Sequence, residues 1–336
     1  MDQTLLGGVS KAEHAEGMVL VGTDRKGIVA VGGANVDWSC RVDAPVRLGT
    51  SNPGTLTRAF GGVARNVACN LARLGVPVAL CTAVGKDSAG DALLRDCEAA
   101  HVDVALVQRL DAATGTYVAT LDADGELVVA VAAMDIVERL TPECIAGLEP
   151  RLAQAELIFA DANLPAESLV TLGEIAARHG VPLVLDPVST RKAVRLRPLL
   201  DARLPVFLLT PNRDELGILI ERDVATASDF ENTAEALRGQ GVQNVLVALG
   251  TGGAYLAGAE QRGFAACRSS EVKDVTGAGD SAIAAILWAW RRGFDLLKAA
   301  QAGQIAAALT VASHATVSPD LNEKALSEAL AKMEMT

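Results

Sequence analysis

Short, wholly apolar runs alternate along this chain with longer stretches in which apolar residues recur every third or fourth position. Residues 27–33, Gly-Ile-Val-Ala-Val-Gly-Gly, are a β-branched run closed by glycines, which predicts a buried strand. Residues 62–74 follow the helical period and Gly75 ends them. A strand is expected over 76–84 and a helix over 89–100. Further strands are expected over 157–160, 182–185, 206–209 and 244–249, with helices over 166–179, 212–220 and 226–239. Strands apolar on both faces, separated by helices, predict an α/β fold: a mostly parallel sheet with helices on both faces. Two segments break the rhythm. Residues 41–60 and 116–132 alternate in strand fashion around turns such as Asp122-Ala-Asp-Gly125. They predict a small separate β-sheet, a lid over the carboxyl ends of the parallel strands, where open α/β sheets bind ligands. From Gly277 onward the chain is Ala-rich and almost wholly helical in pattern. The expected organisation is an extension over 1–26 and one domain over 27–336, its lid drawn from about 37–60 and 114–135.

Composition narrows the classes. The 336 residues carry 30 Lys plus Arg against 41 Asp plus Glu, a net charge of −11. That balance disfavours a basic surface for nucleic acid. Hydrophobic residues make up 50% and aromatics only 3%, so the core must be built from Ala, Val, Leu and Gly at close packing distances. The longest wholly apolar run, 282–290, is far below the ~20 residues of a membrane helix. Residues 1–25 lack the charged-then-apolar order of a signal peptide. Cys40, Cys69, Cys81, Cys97, Cys144 and Cys267 form no C-x-x-C pair, and most lie in apolar runs, which reads as buried free thiols in a reducing compartment. The four histidines show no metal-ligand spacing. A soluble, cytoplasmic chain with no nucleic-acid or membrane partner is expected.

The sharpest local feature is Asp274-Val-Thr-Gly-Ala-Gly-Asp280 ahead of a helical stretch. Gly277 and Gly279 permit unusual dihedrals, and N–H groups at a helix start form an anion site. Asp280 is placed to take a proton from a hydroxyl. Donors for developing negative charge beside a base are what phosphoryl transfer requires. The plain alternative is an ordinary helix start with Asp in its first turn. Thr210-Pro-Asn-Arg-Asp-Glu215 follows a strand and opens a helix. Asn212 and Glu215 are either a capping box or holders of the water shell of Mg²⁺. Leu249-Gly-Thr-Gly-Gly253 is either a nucleotide-approach turn or a hairpin turn into 254–257. No G-x-x-x-x-G-K-[ST] occurs, which excludes a P-loop.

In order, Gly32-Gly-Ala-Asn-Val-Asp37, Gly61-Gly-Val-Ala-Arg-Asn66, Asn212-Arg-Asp-Glu215, Gly250-Thr-Gly-Gly253 and Asp274-Val-Thr-Gly-Ala-Gly-Asp280 resemble the ribokinase-like (PfkB) carbohydrate kinases over about residues 27–330. The resemblance implies a ribokinase-like fold and ATP- and Mg²⁺-dependent phosphorylation of a primary hydroxyl. Ser51-Asn-Pro-Gly54, Ala160-Asp-Ala-Asn163, Asp186-Pro-Val-Ser189 with Lys192, and Ser318-Pro-Asp-Leu321 resemble the family's pseudouridine kinase branch. Ribokinases usually carry Lys where this chain has Val63 and Glu where it has Asn163, which argues against free ribose. Another nucleoside (adenosine, inosine) or a free sugar is the alternative acceptor, and a non-catalytic nucleoside-binding protein the remote one.

The resemblance implies roles residue by residue. Asp280 is the base for the 5′-hydroxyl, with Gly277, Ala278 and Gly279 as anion hole. Asn35, Asp37, Gly62, Asn66 and Asn163 hold ribose hydroxyls; a carboxylate such as Asp37 accepts from two adjacent ones. Arg65 reaches the transferring phosphate or is an exposed helix-start arginine. Thr116 and Met134 on the lid touch the base. Asn212, Thr251, Gly252, Gln304 and Lys192 serve the nucleotide side, although Gln304 would equally face water. Glu215 holds the Mg²⁺ waters, and Asp274, Thr276 and Ser318 bind a monovalent cation such as K⁺. Relatives commonly pair through the lid, so a homodimer is a further expectation.

Overall fold

The computed structural model describes residues 26–334, apart from 225 and 269. The expected extension over 1–26, Lys26 excepted, and the reading of 1–25 for a signal peptide lie outside the described residues.

The core is an eight-stranded sheet. Its strands are β1 (Ile28–Val31), β4 (Val78–Cys81), β9 (Leu157–Asp161), β10 (Leu183–Asp186), β11 (Val206–Leu209), β12 (Val242–Ala248), β13 (Ala254–Gly258) and β14 (Arg262–Ala265). They lie in the order β14-β13-β12-β11-β10-β9-β1-β4. Pairing is parallel from β4 to β12 and antiparallel for β12–β13 and β13–β14. The two lone antiparallel strands cap one edge of an otherwise parallel sheet. Both faces are covered, as runs without alternation require. Ile28 and Ala30 of β1 pack into one core with Leu71 and Trp288, while Val29 and Val31 pack into a second with Leu169 and Leu172.

The lid is a second sheet in the order β3-β2-β7-β8, from β2 (Asn35–Val42), β3 (Gly54–Gly61), β7 (Thr116–Leu121) and β8 (Leu127–Ala133). β2 begins four residues after β1 ends, so the lid rises directly from the carboxyl edge of the main sheet. The strand expected over 76–84 is interrupted. Thr82 turns its hydroxyl onto Gly32 O at 2.7 Å, and β5 (Ala83–Gly85) leaves the main sheet to pair with β6 (Gln108–Leu110). Asn212 is the N-cap of its helix, as the capping-box reading has it, and Thr226, expected inside a helix, is the N-cap of its own.

Helices Ala278–Arg291 and Leu296–Val311 pack closely because small residues face each other. A Cβ at Gly303 would sit 3.0 Å from Ile286 and 3.2 Å from Ala282 O. The Ala-rich composition therefore sets the interhelical distance, as a close-packed interior demands. All six cysteines are free, but only Cys69, Cys81 and Cys97 are buried; Cys267 is exposed. Among the described residues no helix is long and apolar enough to cross a membrane.

Gly62 joins lid to core. It precedes helix Val63–Arg73 with φ 98°, and a Cβ there would lie 2.4 Å from Gly33 O and 2.5 Å from Ala34 Cα. Gly62→Ala should cost about 2 kcal/mol through strain and displaced backbone, lowering Tm by about 3 °C in thermal denaturation.

Candidate active site

The carboxyl ends of β1, β9, β10 and β11 meet the base of the lid, and polar side chains collect there. Asp161 is the last residue of β9 and fully buried. Its Oδ2 accepts from Gly33 N at 3.0 Å and Ala64 N at 2.8 Å, and its Oδ1 from Asn163 N at 2.9 Å. One carboxylate thus fixes the β1–β2 turn, the start of helix Val63–Arg73 and the loop after β9. Burial raises its pKa, and these hydrogen bonds work against that rise.

On the lid side Asn35 Nδ2 donates to Asp37 Oδ1 at 2.5 Å. Gly61 lies opposite Asn35 in the register, and a Cβ there would come within 2.1 Å of Asp37 Oδ2. The glycine leaves the Asp37 carboxylate room. Burial pushes the Asp37 pKa up, while Asn35 and the Arg65 charge draw it down.

Asp280 lies in the first turn of helix Ala278–Arg291. Gly277 is the N-cap at φ 81°, and no side chain caps the helix. A Cβ at Gly277 would lie 2.1 Å from Thr316 O, so the loop before the helix is pressed against the segment around Thr316. The uncapped first-turn N–H groups form a site for negative charge. Asn66 Nδ2 donates to Asp280 Oδ2 at 2.8 Å. Burial pushes the Asp280 carboxyl up to about 7, assisted by the nearby Asp161 charge and opposed by Asn66 and Arg65. A carboxyl poised near neutrality, beside donors for negative charge, can take a proton from a hydroxyl and support charge on a transferring group.

A second acid pair lies behind it. Asp186 ends β10 and has a pKa raised well above 3.8 by burial, then by the charges of Glu215 and Asp280. The Thr210 hydroxyl donates to Asp186 Oδ2 at 2.9 Å, and Val188 N donates to Oδ1 at 2.8 Å. Val188 has φ 67°, and Ser189 N donates to Pro187 O at 2.7 Å. A β-branched residue in this tight turn is strained, and strain of this kind collects at functional sites.

A family model for pfkB family carbohydrate kinases matches residues 25–324. The chain belongs to the pfkB family of carbohydrate kinases. It is similar to the pseudouridine kinase of Escherichia coli (strain K12), with 31% identity over 298 residues, spanning 88% of this chain and 93% of that protein. It is similar to the ribokinase of Staphylococcus aureus (strain COL), with 28% identity over 292 residues, 85% of this chain and 94% of that one. Among solved structures, a carbohydrate kinase from Agrobacterium tumefaciens superposes with a TM-score of 0.79 at 30% identity, covering 91% of this chain and 97% of its own. The pfkB chain is accordingly a phosphotransferase with the ribokinase-like fold.

Within this pfkB kinase Asp161 ties Asn163 to the turn and helix start on either side of Gly62, Asn66 holds Asp280, Asn35 holds Asp37, and the Arg65 charge acts on both Asp37 and Asp280. Two expectations change, and of the two readings of Glu215 the capping box is present. Arg65 is neither an exposed arginine nor free to reach a phosphate. It is 5% exposed, and its guanidinium donates from Nη2 to the Asp96 carboxylate and from Nη1 to Phe60 O and Asn66 Oδ1, both at 3.0 Å. Lys192, expected on the nucleotide side, donates to Asn163 Oδ1 among the acceptor-side residues. Burial lowers its pKa, against the raising charge of Asp161. Glu215 forms the capping box with Asn212: its Oε2 accepts from Asn212 N, and Asn212 Oδ1 accepts from Glu215 N, each at 2.9 Å.

The capping role does not exhaust Glu215, since a second carboxylate oxygen remains. Among the described residues no three His, Cys, Asp or Glu side chains are placed to enclose a metal. A sparse, oxygen-only set fits Mg²⁺, which keeps its waters and is held largely by substrate phosphates. Thr251 and Gly252 form an exposed turn that joins β12 to the antiparallel β13, which is the hairpin-turn reading. Gln304 is half-buried on helix Leu296–Val311. Asp274 Oδ1 accepts from Thr276 N at 2.8 Å, and Ser318 is buried with its hydroxyl 3.4 Å from Leu309 O. Thr116 donates its hydroxyl to Thr114 O at 2.9 Å, and Met134 precedes the short 3-10 turn Asp135–Arg139 at the lid base.

Sequence reasoning left Asp161, Asp186 and Asp96 without roles. For the first two a signal existed: each is a lone carboxylate at the end of a wholly apolar strand, where burial demands partners.

The raised Asp280 carboxyl sets a pH dependence. Because its folded pKa lies above 3.8, the native state binds the extra proton between about 4 and 7, and this group's contribution to stability falls as pH rises through that window. Activity runs the other way. kcat/KM for the acceptor should climb roughly tenfold per pH unit at low pH and flatten above about 7. Initial rates across that range check it; a profile level down to pH 5 would remove Asp280 as the titrating base.

Proposed function

We propose that this chain transfers the terminal phosphoryl group of ATP to the 5′-hydroxyl of pseudouridine, giving pseudouridine 5′-phosphate and ADP. The observation that carries the chemistry is Asp280, held by Asn66 at an uncapped helix start, with the Arg65 charge acting both on it and on Asp37 of the Asn35–Asp37 pair. The choice of nucleoside is supported by similarity to the E. coli pseudouridine kinase along 88% of the chain and by Asn163 standing where ribokinases usually carry Glu.

In this reading Asp37, with its carboxylate cleared by Gly61, accepts hydrogen bonds from the ribose hydroxyls. Asp280 takes the proton of the 5′-hydroxyl. That oxygen attacks the terminal phosphorus in line, and the bond from phosphorus to the departing ADP oxygen breaks. Backbone N–H groups at Gly277, Ala278 and Gly279 meet the charge spreading over the phosphoryl oxygens. Asn212, Thr251, Gly252 and Gln304 line the nucleotide side. Glu215 would hold Mg²⁺ through its waters, and the ion would supply charge neutralisation between the phosphates. Descent of the lid would exclude water from the cleft and so suppress hydrolysis of ATP.

Asp280→Asn should lower kcat by roughly 10²–10⁴-fold while both substrates still bind, as read by steady-state rates and calorimetry. Turnover near the parent rate would remove the base. The acceptor is tested separately, with pseudouridine, uridine, adenosine and ribose assayed side by side for ADP release. Pseudouridine should give the highest kcat/KM. Adenosine or ribose exceeding it would overturn the nucleoside assignment and leave the kinase chemistry standing.

A further inference from the structure

Asp96 is on helix Ser88–Ala99, outside the cleft, with its side chain 41% exposed. We propose that Asp96 is a positioning residue for the catalytic base, acting through Arg65 and Asn66. The inference rests on the reading of Asp280 as that base.

The connection is continuous in the hydrogen bonds. The Asp96 carboxylate accepts from Arg65 Nη2. Arg65 Nη1 donates to Asn66 Oδ1 at 3.0 Å, and Asn66 Nδ2 donates to Asp280 Oδ2 at 2.8 Å. An amide has one accepting and one donating end, and its orientation is set by what surrounds it. Arg65 has only donors to offer. It therefore requires the oxygen end of Asn66, which turns the nitrogen end onto Asp280. A flipped amide would set N–H groups against the guanidinium and an oxygen against a carboxylate, unfavourable at both ends.

Asp96 has a second effect. The Arg65 head is nearly enclosed, and its Nε has no partner. Besides Asp96, Arg65 faces the buried thiols of Cys69 and Cys97, and its charge pulls Asp37 and Asp280 towards ionisation. Asp161 and Asp186 also face Asp280 electrostatically. Without Asp96, the guanidinium fork would turn to the cleft carboxylates, because a buried guanidinium needs a bidentate anion or carbonyl partner. An Asp280 paired with Arg65 is a poor proton acceptor and is aimed away from the substrate hydroxyl. Asp96 thus holds the arginine back from the base while using it to orient Asn66.

The experiment uses the full-length enzyme with saturating ATP and acceptor. Asp96→Asn removes the charge and keeps the shape, at a half-exposed position. It should lower kcat about tenfold, with KM for either substrate changed by less than about twofold. Asp96→Glu should regain most of the loss. Arg65→Lys keeps the charge without the fork and should lower kcat similarly; it serves as the second probe should Asp96→Asn be insoluble. Introduced into Asn66→Ala, Asp96→Asn should cause little further loss, because the path is already cut. Parent kcat in Asp96→Asn, or losses that multiply fully with Asn66→Ala, would overturn the proposal. Failure of the base reading shows elsewhere: Asp280→Asn would retain turnover, while the coupling between Asp96 and Asn66 would still give its own answer.

Discussion

The candidate active site of this kinase depends on one buried carboxylate. Asp161 sits at the end of a central strand and gathers N–H groups from Gly33, Ala64 and Asn163. Those three residues belong to the turn that launches the lid, the helix that carries Asn66, and the loop that carries Asn163. A buried carboxylate is costly unless its lone pairs are met, and a buried N–H is costly unless it has an acceptor. Here each need answers the other. Gly33 makes the approach possible, since a Cβ there would lie 2.5 Å from Asn163 Nδ2, and a Cβ on Gly32 would lie 2.4 Å from the Asp161 carboxyl carbon. Two adjacent glycines are needed because a different side chain closes on each, Asp161 on Gly32 and Asn163 on Gly33.

Once Asp161 is in place, the charges around it set the chemistry. The Asp161 charge raises the cost of ionising Asp280, and the Asp280 charge does the same to Asp186. The result differs by position. Asp186, flanked by Glu215 as well, is pushed far from its ordinary range. Asp280 stops near neutrality because Asn66 donates to it and Arg65 lies close. In the proposed reaction the base is thus made by neighbouring acids and one amide. The strain at Val188 fits the same economy: its N–H is drawn to Asp186, so the tight turn supplies a donor where the acid pair needs one.

Much of the architecture is legible in the chain because burial on both faces leaves a plain record. Strands such as β9 and β11 show unbroken apolar runs, and the lid shows alternation. What the pattern cannot give is the break at Thr82, since that depends on a hydroxyl reaching Gly32 across space. The site follows the same division. Gly277 and Asp280 announce themselves by a glycine-flanked acid before a helix. Asn212 and Glu215 announce a cap, and the cap is present. Arg65 is misread in isolation because an arginine in a first turn looks exposed. Its acceptors, Phe60 O and Asp96, come from a lid strand and from a helix 31 residues away. No local spacing encodes that meeting; the packing of the two helices does.

The acidic balance of the chain bears on phosphate handling more sharply than it does on partners. A net charge of −11 gives no attraction towards a polyanionic nucleotide at long range, and salt screens such fields within about 8 Å at physiological strength. Attraction must come from fixed groups at contact distance. Arg65 is committed to Asp96, and Lys192 to Asn163, with its charge weakened by burial. What remains is the helix start at Gly277, whose N–H groups bring partial positive charge without a side chain to desolvate. Backbone donors need no reorientation as charge develops, and a glycine N-cap leaves them uncovered. On the proposed reading, an acidic protein stabilises a transferring phosphoryl group through backbone N–H groups while Arg65 and Lys192 hold neighbouring side chains, and Asp37 and Asp280 are left to act on hydroxyls.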